Sequence, residues 1–122
     1  MKQADFLEQH VFTGLTNLNS ASNNEENQHF SEEDFAVIIE RAEHFGMSIY
    51  EIEAHLDGKQ FGVTGHNQLK KKATDANWYK KAFLTFSKSQ SGLNFSAKYK
   101  VSTKLLDRLA SNGNKVFKKV VE

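Results

Sequence analysis

The chain has 122 residues, a net charge of +1, no cysteine and no proline. This length fits one domain that buries roughly two-thirds of the surface its unfolded chain exposes, and the lack of cysteine excludes disulfide bonds and zinc–thiolate sites. The first twenty residues contain acidic side chains and no long apolar run. They indicate neither a secretory signal nor a membrane span, so we expect a cytoplasmic protein.

Residues 1–29 are predicted to form an N-terminal helix and a flexible polar connection, ahead of a single α+β domain in residues 30–122. Residues 19–29 contain no large apolar residue. Gly14 weakens the middle of the helix, which is predicted over residues 3–18. Docking of this helix on a second copy would give a dimer. Its apolar residues repeat at helical spacing: Leu7, Val11, Leu15 and Leu18.

A second helix is predicted over residues 32–45, because its start and its end both carry strong local signals. Ser31 is a favourable N-cap, and Phe30 and Phe35 are placed to pack together across that cap. Gly46 is placed to end the helix in a left-handed turn. The acidic residues of the first turn complement the helix dipole.

Residues 49–63 read as two strands joined by a tight turn. Apolar and charged residues alternate with a period of two, and Asp57 and Gly58 supply the turn. The pattern predicts one apolar face and one charged face. The apolar face consists of Tyr50, Ile52, Ala54 and Leu56, and the charged face of Glu51, Glu53, His55 and Asp57.

Residues 48–58 also satisfy the rules for a helix, with Ser48 as the cap and Gly58 as the stop. Two packed helices, or a helix-turn-helix that reads DNA, are therefore alternatives. The second helix of such a motif would carry three acids and no lysine or arginine, and phosphates would repel it. The strand propensity of this segment favours the hairpin.

A third helix is predicted over residues 76–89, with Thr74 or Asp75 as its cap and with an aromatic face that includes Phe83. A strand follows over residues 93–101, and Thr103 is placed to cap a short last helix. Residues 115–122 fit either a strand or a helical turn. Together these elements predict an α+β fold, with an antiparallel sheet of three or four strands and helices packed on one face.

The charges are unevenly distributed along the chain. Residues 1–57 contain twelve acids and two bases, whereas residues 58–122 contain fourteen bases and three acids. The two halves could neutralise each other in the fold, or the basic half could bind an anionic partner. Trp78 or Tyr79 is available to stack on unpaired bases. The candidate phosphate contacts are Lys70, Lys71, Lys72, Lys80 and Lys81.

Glu51, Glu53 and His55 form the second candidate site, because they share one face of the first hairpin strand. Carboxylates and an imidazole can bind a metal or transfer protons. Same-face residues lie about 6.6 Å apart along a strand, so a metal would need ligands from elsewhere. The other interpretation is a solvated strand face on which Lys98 and Lys100 pair with Glu51 and Glu53.

No phosphate-binding loop, dinucleotide-binding glycine run, nucleophile elbow or metal-site histidine spacing occurs in the chain. We therefore expect no metal or other cofactor and have no positive signal for an enzyme. By elimination, the sequence favours a small protein-binding domain of the inhibitor, immunity or regulatory type, since charge complementarity speeds encounter and sets specificity. Largely non-specific nucleic-acid binding by residues 58–122 is the alternative.

Overall fold

The computed structural model describes residues 2–19 and 27–108. A four-stranded antiparallel sheet carries helices on one face, which confirms the predicted α+β fold. The predicted strand or turn at residues 115–122 lies outside the described residues. The described elements are α1 (Gln3–Phe6, continued by a π-helical turn at Leu7–Val11), β1 (Phe30–Ser31), α2 (Glu32–Phe45), β2 (Ser48–Leu56), β3 (Lys59–Gly65), a 3₁₀ turn (His66–Leu69), α3 (Ala76–Ser89), β4 (Asn94–Lys100) and α4, which is described over residues 103–108.

Helix α2 begins and ends at the predicted residues. The Ser31 hydroxyl accepts a hydrogen bond from the backbone N–H of Asp34 at 3.2 Å. Gly46 has a φ of +67°, which a residue with a side chain rarely adopts, and the Met47 N–H donates to the Ala42 carbonyl at 3.1 Å. The local capping chemistry therefore sets both ends of the helix.

Helix α3 also has the predicted bounds, and the side chain of Asp75 caps it by accepting from the Asn77 N–H at 2.9 Å. The last helix begins one residue earlier than predicted. The cap is Ser102, whose hydroxyl accepts from the Leu105 N–H at 3.1 Å. No helix in the described part of the chain combines the length and the apolarity needed to cross a membrane.

The predicted hairpin is present, so the two-helix and DNA-reading alternatives are wrong. Strands β2 and β3 pair in antiparallel fashion around a turn in which Asp57 and Gly58 have φ values of +53° and +81°. A two-residue turn with positive φ at both positions has a backbone twist that matches the twist of the flanking strands. The order of the described strands is β1-β4-β2-β3, so among them β4 and β2 are central and β3 lies at an edge.

Each strand of the hairpin contains a β-bulge, a single extra residue without a partner on the neighbouring strand. Tyr50 is the extra residue of β2, since its two neighbours pair with consecutive residues of β4. Phe61 is the extra residue of β3, because Gln60 and Gly62 pair with consecutive residues of β2. A bulge breaks the alternation of faces. Tyr50 is 43% exposed and Phe61 40% exposed, so the predicted interior position of Tyr50 is wrong.

The core lies between the sheet and α2 and α3, and it is built around aromatic rings. The Phe35 and Phe95 rings stack with centroids 5.2 Å apart, and the Phe83 ring meets Phe95 edge-on at 5.0 Å. Phe83 is half-buried rather than buried. Alternation along the predicted strand 93–101 places every second residue on the core side, and these residues are all buried: Leu93, Phe95, Ala97, Tyr99 and Val101.

The N-terminal helix is shorter than predicted, because its helical turns end at Val11 and Gly14 adopts a left-handed φ of +81°. Phe6 and Leu7 are fully buried in the same core as the sheet. Leu18 lies beyond the helix and is half-exposed. The described N-terminal residues therefore pack on their own chain, and a dimer through this helix stays a prediction.

Candidate functional site

The sheet face opposite the helices carries the acidic strand residues singled out from the sequence. We call this surface the open face. Antiparallel pairing of β2 and β4 places Glu51 opposite Lys98, and their side chains form an ion pair at 3.5 Å. This pairing was predicted. Glu53 lies opposite Ser96, as antiparallel pairing requires once Glu51 lies opposite Lys98, and Lys100 lies opposite Ser48. The open face consists of Glu51, Glu53, His55, Ser96 and Lys98.

His55 is only 8% exposed, so the prediction that it faces water is wrong. Its Nε2 lies 2.9 Å from the hydroxyl oxygen of Ser96, and the ring of His29 stacks on it. Burial lowers the pKa of His55, the neighbouring His29 lowers it further, and Glu53 partly opposes both effects. His55 is therefore held neutral in a polar cluster.

The geometry of this cluster does not match a catalytic relay. In a serine–histidine–acid relay, one ring nitrogen faces the serine and the other faces the acid. Here Nε2 of His55 is the atom nearest both Ser96 and Glu53, the latter at 4.0 Å. Ser96 is 2% exposed, and the pocket that it lines together with Glu51, Glu53 and Lys98 has a volume of only about 80 Å³. Within residues 2–19 and 27–108, no three histidine or carboxylate side chains are grouped to hold a metal ion.

The predicted basic residues fall into two separate places along the fold. Lys70, Lys71 and Lys72 are all exposed in the connection between the 3₁₀ turn and α3. Lys80 and Lys81 are exposed on α3. Lys80 already forms an ion pair, since its Nζ lies 2.8 Å from a carboxylate oxygen of Glu43 on α2.

The two aromatic residues predicted to stack on bases are not available for that role. Trp78 and Tyr79 are both buried, and the indole N–H of Trp78 donates to the Ile49 carbonyl at 3.1 Å. Burial raises the pKa of Tyr79, and together with the nearby Glu43 and Asp75 it brings that pKa to about 12. These side chains anchor α3 to the sheet. Trp78 and Tyr79 therefore cannot act as the stacking partners that single-strand binding uses.

Sequence reasoning missed a surface at the edge of the hairpin. The Tyr50 ring lies 5.6 Å from the ring of His66, and the Phe61 ring lies 6.4 Å from Phe86 of α3. A groove of about 420 Å³ opens beside Tyr50. We call Tyr50, Phe61, this groove and the outer edge of β3 the hairpin surface. The groove is lined by Tyr50, Glu51, Val63, Gly65, His66, Asn67, Gln68 and Lys98.

The polar cluster around His55 is closed, whereas the hairpin surface is open. Of these two places, the hairpin surface is the one with room for another molecule. A comparison with models of known families found no match, and comparisons with curated proteins and with solved structures found none either.

Proposed function

We propose that this chain is a small protein-binding domain of the inhibitor, immunity or regulatory type, which acts without catalysing a reaction. The observation that carries the proposal is the position of β3. This strand is the edge of the sheet, and within the described residues it pairs only with β2. An edge strand presents unpaired backbone N–H and C=O groups to any extended chain beside it.

The sequence of β3 gives this edge limited protection against a new strand. Lys59 and the bulge at Phe61 lie at its beginning, where a charge and an irregular backbone discourage pairing. Residues 62–65 have regular register and carry no charge. An extended segment of a partner protein can therefore add to this half of the strand through main-chain hydrogen bonds.

The hairpin surface also provides side-chain contacts on both sides of the edge. Phe61 lies on the side of α3, next to Phe86, whereas Tyr50 and the groove lie on the open face. Successive side chains of an added strand point to opposite faces of the sheet. The side chains on one face of the added strand would contact Phe61, and those on the other face would enter the groove beside Tyr50. Half-exposed tyrosine is typical of residues that dominate binding energy at protein interfaces.

The test compares retention of cellular protein and nucleic acid by the immobilised chain and by a Tyr50→Ser/Phe61→Ser variant. We expect the wild type to retain a cellular protein at about 0.15 M salt. The variant should bind the same protein at least tenfold more weakly. Leu18→Ser is the matched control, because Leu18 is half-exposed elsewhere. Binding of the purified partner should slow hydrogen exchange at the backbone amides of residues 59–65. Equal retention by wild type and variant would contradict the proposal.

Nucleic-acid binding by residues 58–122 is a distinct outcome of the same experiment. Bound nucleic acid would depend on Lys70, Lys71 and Lys72, which are exposed and consecutive. For about four phosphate contacts, the logarithm of affinity for single strands should fall against the logarithm of salt with a slope near −3. Retention that follows this slope and is lost when the three lysines become glutamine would support this alternative and overturn the first.

A further inference from the structure

The outer surface of the α2–α3 pair carries an apolar groove. Its volume is about 240 Å³ and its lining is largely apolar. Leu84 is 54% exposed there, more than any other large apolar side chain in the described part of the chain. Exposed apolar surface of this kind is typical of contact sites. The groove is lined by Ala36, Ile39, Glu40, Lys80, Phe83 and Leu84.

The two helices that form the groove carry opposite charges on their outer crests. Glu33, Glu40 and Glu43 are the exposed acids of α2. All the lysines of α3 are exposed, namely Lys80, Lys81 and Lys88. Within the described residues, the ion pair between Glu43 and Lys80 is the only one that joins the two crests. The acid-rich crest and the lysine-rich crest therefore leave most of their charge to solvent.

The helices run antiparallel, so the charges on the two crests lie at matching levels. Glu43 near the end of α2 meets Lys80 near the start of α3, and Phe35 near the start of α2 contacts Phe83 further along α3. Glu33 consequently lies at the end of the pair that carries Lys88. If a second copy is turned so that its α2 lies over α3 of the first copy, acids face lysines along the whole length of the helix pair.

We propose that a second copy of this chain covers the groove, with α2 of each copy lying over α3 of the other. A two-fold axis parallel to the groove gives this arrangement, and each acidic crest then faces a lysine crest. A two-fold axis across the groove would instead place α2 on α2, with like charges opposed. Leu84 of each copy would pack against the groove of its partner. No residue of the hairpin surface lines the groove.

The size of the surface sets the strength of the expected dimer. Each helix has 14 residues, which is about 21 Å of length, and two adjacent helices are roughly 20 Å wide. The face is therefore on the order of 400 Å² per copy, well below the roughly 800 Å² of a standard interface. We expect a weak dimer that depends strongly on salt.

The test is sedimentation equilibrium over a concentration series from about 1 µM to 1 mM at low salt, with Glu40→Lys and Lys81→Glu variants. Each single variant should weaken association at least tenfold. A one-to-one mixture of the two, and the double variant in one chain, should associate more tightly than either variant alone. Leu84→Ser should also weaken the dimer, whereas Lys104→Glu, which is exposed outside the groove, should not.

Four outcomes would contradict the proposed dimer or its contacts. A chain that stays monomeric at the highest concentration and low salt would overturn the proposal. So would a dimer that is unchanged by Glu40→Lys, by Lys81→Glu and by Leu84→Ser. A dimer that Glu8→Lys on the N-terminal helix disrupts would assign the contact to that helix instead. Failure of the double variant to recover association would exclude the pairing of acidic and lysine crests.

Discussion

The imidazole rings of His29 and His55 lie nearly parallel, with centroids 4.1 Å apart and 12° between their planes. His29 precedes β1 and His55 lies near the end of β2, so this contact closes one end of the open face. His55 also contacts the Ser96 hydroxyl. A proton added to His55 would place a positive charge in a largely buried position beside a second imidazole.

This stack predicts that acid destabilises the fold through His55. Burial and His29 lower its folded-state pKa below the ordinary value of 6.5, so the unfolded chain binds more protons in the window below about pH 6.5. The full contribution of neutral His55 is present above about pH 7.5 and is lost as the pH falls through that window. Chemical denaturation at pH 7.5 and pH 5.5 should show this loss.

His55→Gln tests the assignment, because an amide can keep a hydrogen bond to Ser96 without titrating. The variant should lose less stability than the wild type on acidification. His44→Gln, which changes an exposed histidine, should behave like the wild type. Identical acid sensitivity in the wild type and His55→Gln would mean that another group is responsible.

The aromatic cluster predicts a graded response to truncation. Phe95 is fully buried in the central strand and contacts three other phenylalanine rings. Phe95→Ala should lower the free energy of unfolding by about 3–5 kcal/mol. Phe83 is half-buried at the groove between α2 and α3, so Phe83→Ala should cost about 1–3 kcal/mol. Urea denaturation of both variants measures the difference, and equal losses would contradict the observed burial.

The ion pair between Glu51 and Lys98 should contribute little to stability. Both side chains are more than a third exposed, so water and salt screen the charges. A double-mutant cycle with Glu51→Gln and Lys98→Gln should give a coupling energy of about 0.2–1 kcal/mol. The coupling should shrink at about 1 M salt. A value above roughly 2 kcal/mol would show that the pair is far less solvated than its exposure indicates.

Gly62 should resist substitution even though it lies on an edge strand. A Cβ atom added there would lie 2.8 Å from a ring carbon of Phe86. Gly62→Ala should therefore destabilise the protein by about 1–3 kcal/mol, since the packed ring of Phe86 must shift to make room. In a Phe86→Leu background, which removes part of the ring, the same substitution should cost less. Thermal unfolding of the wild type, the two single variants and the double variant tests this, and a cost independent of residue 86 would contradict the steric explanation.

The sequence predicts the two long helices well because their ends are determined by local chemistry. Ser31, Gly46 and Asp75 each form a capping interaction that involves residues two to four positions away. Neighbours in the sequence are sufficient to predict such contacts. The hairpin is predictable for the same reason, since Asp57 and Gly58 provide its turn.

The errors arise where distant parts of the chain meet. Tyr50 fits the alternation of β2, but the register with β4 makes it an extra residue and turns it outward. Phe61 is displaced in the same way by the pairing with β2. A bulge depends on how two strands align, and the pattern of one strand does not show it. The hairpin surface could not be predicted for this reason.

The open face was predicted in part. Alternation along β2 places Glu51 and Glu53 on one face, and a neighbouring strand with Lys98 follows from the same rule. The burial of His55 depends on His29 and Ser96, which are far away in the sequence. No local pattern links these three residues, so the closed polar cluster was not foreseen.

The position of β4 has a consequence for how the chain is made. This strand is the last of the described sheet in sequence, yet it lies between β1 and β2. At about 5–20 residues per second, synthesis from Asp57 to Lys100 takes about 2–9 s. From the completion of β3 at Gly65 until β4 emerges, β2 has its hairpin partner on one side and an open edge on the other. The emerging chain is therefore most susceptible to pairing with a wrong strand just before β4 leaves the ribosome.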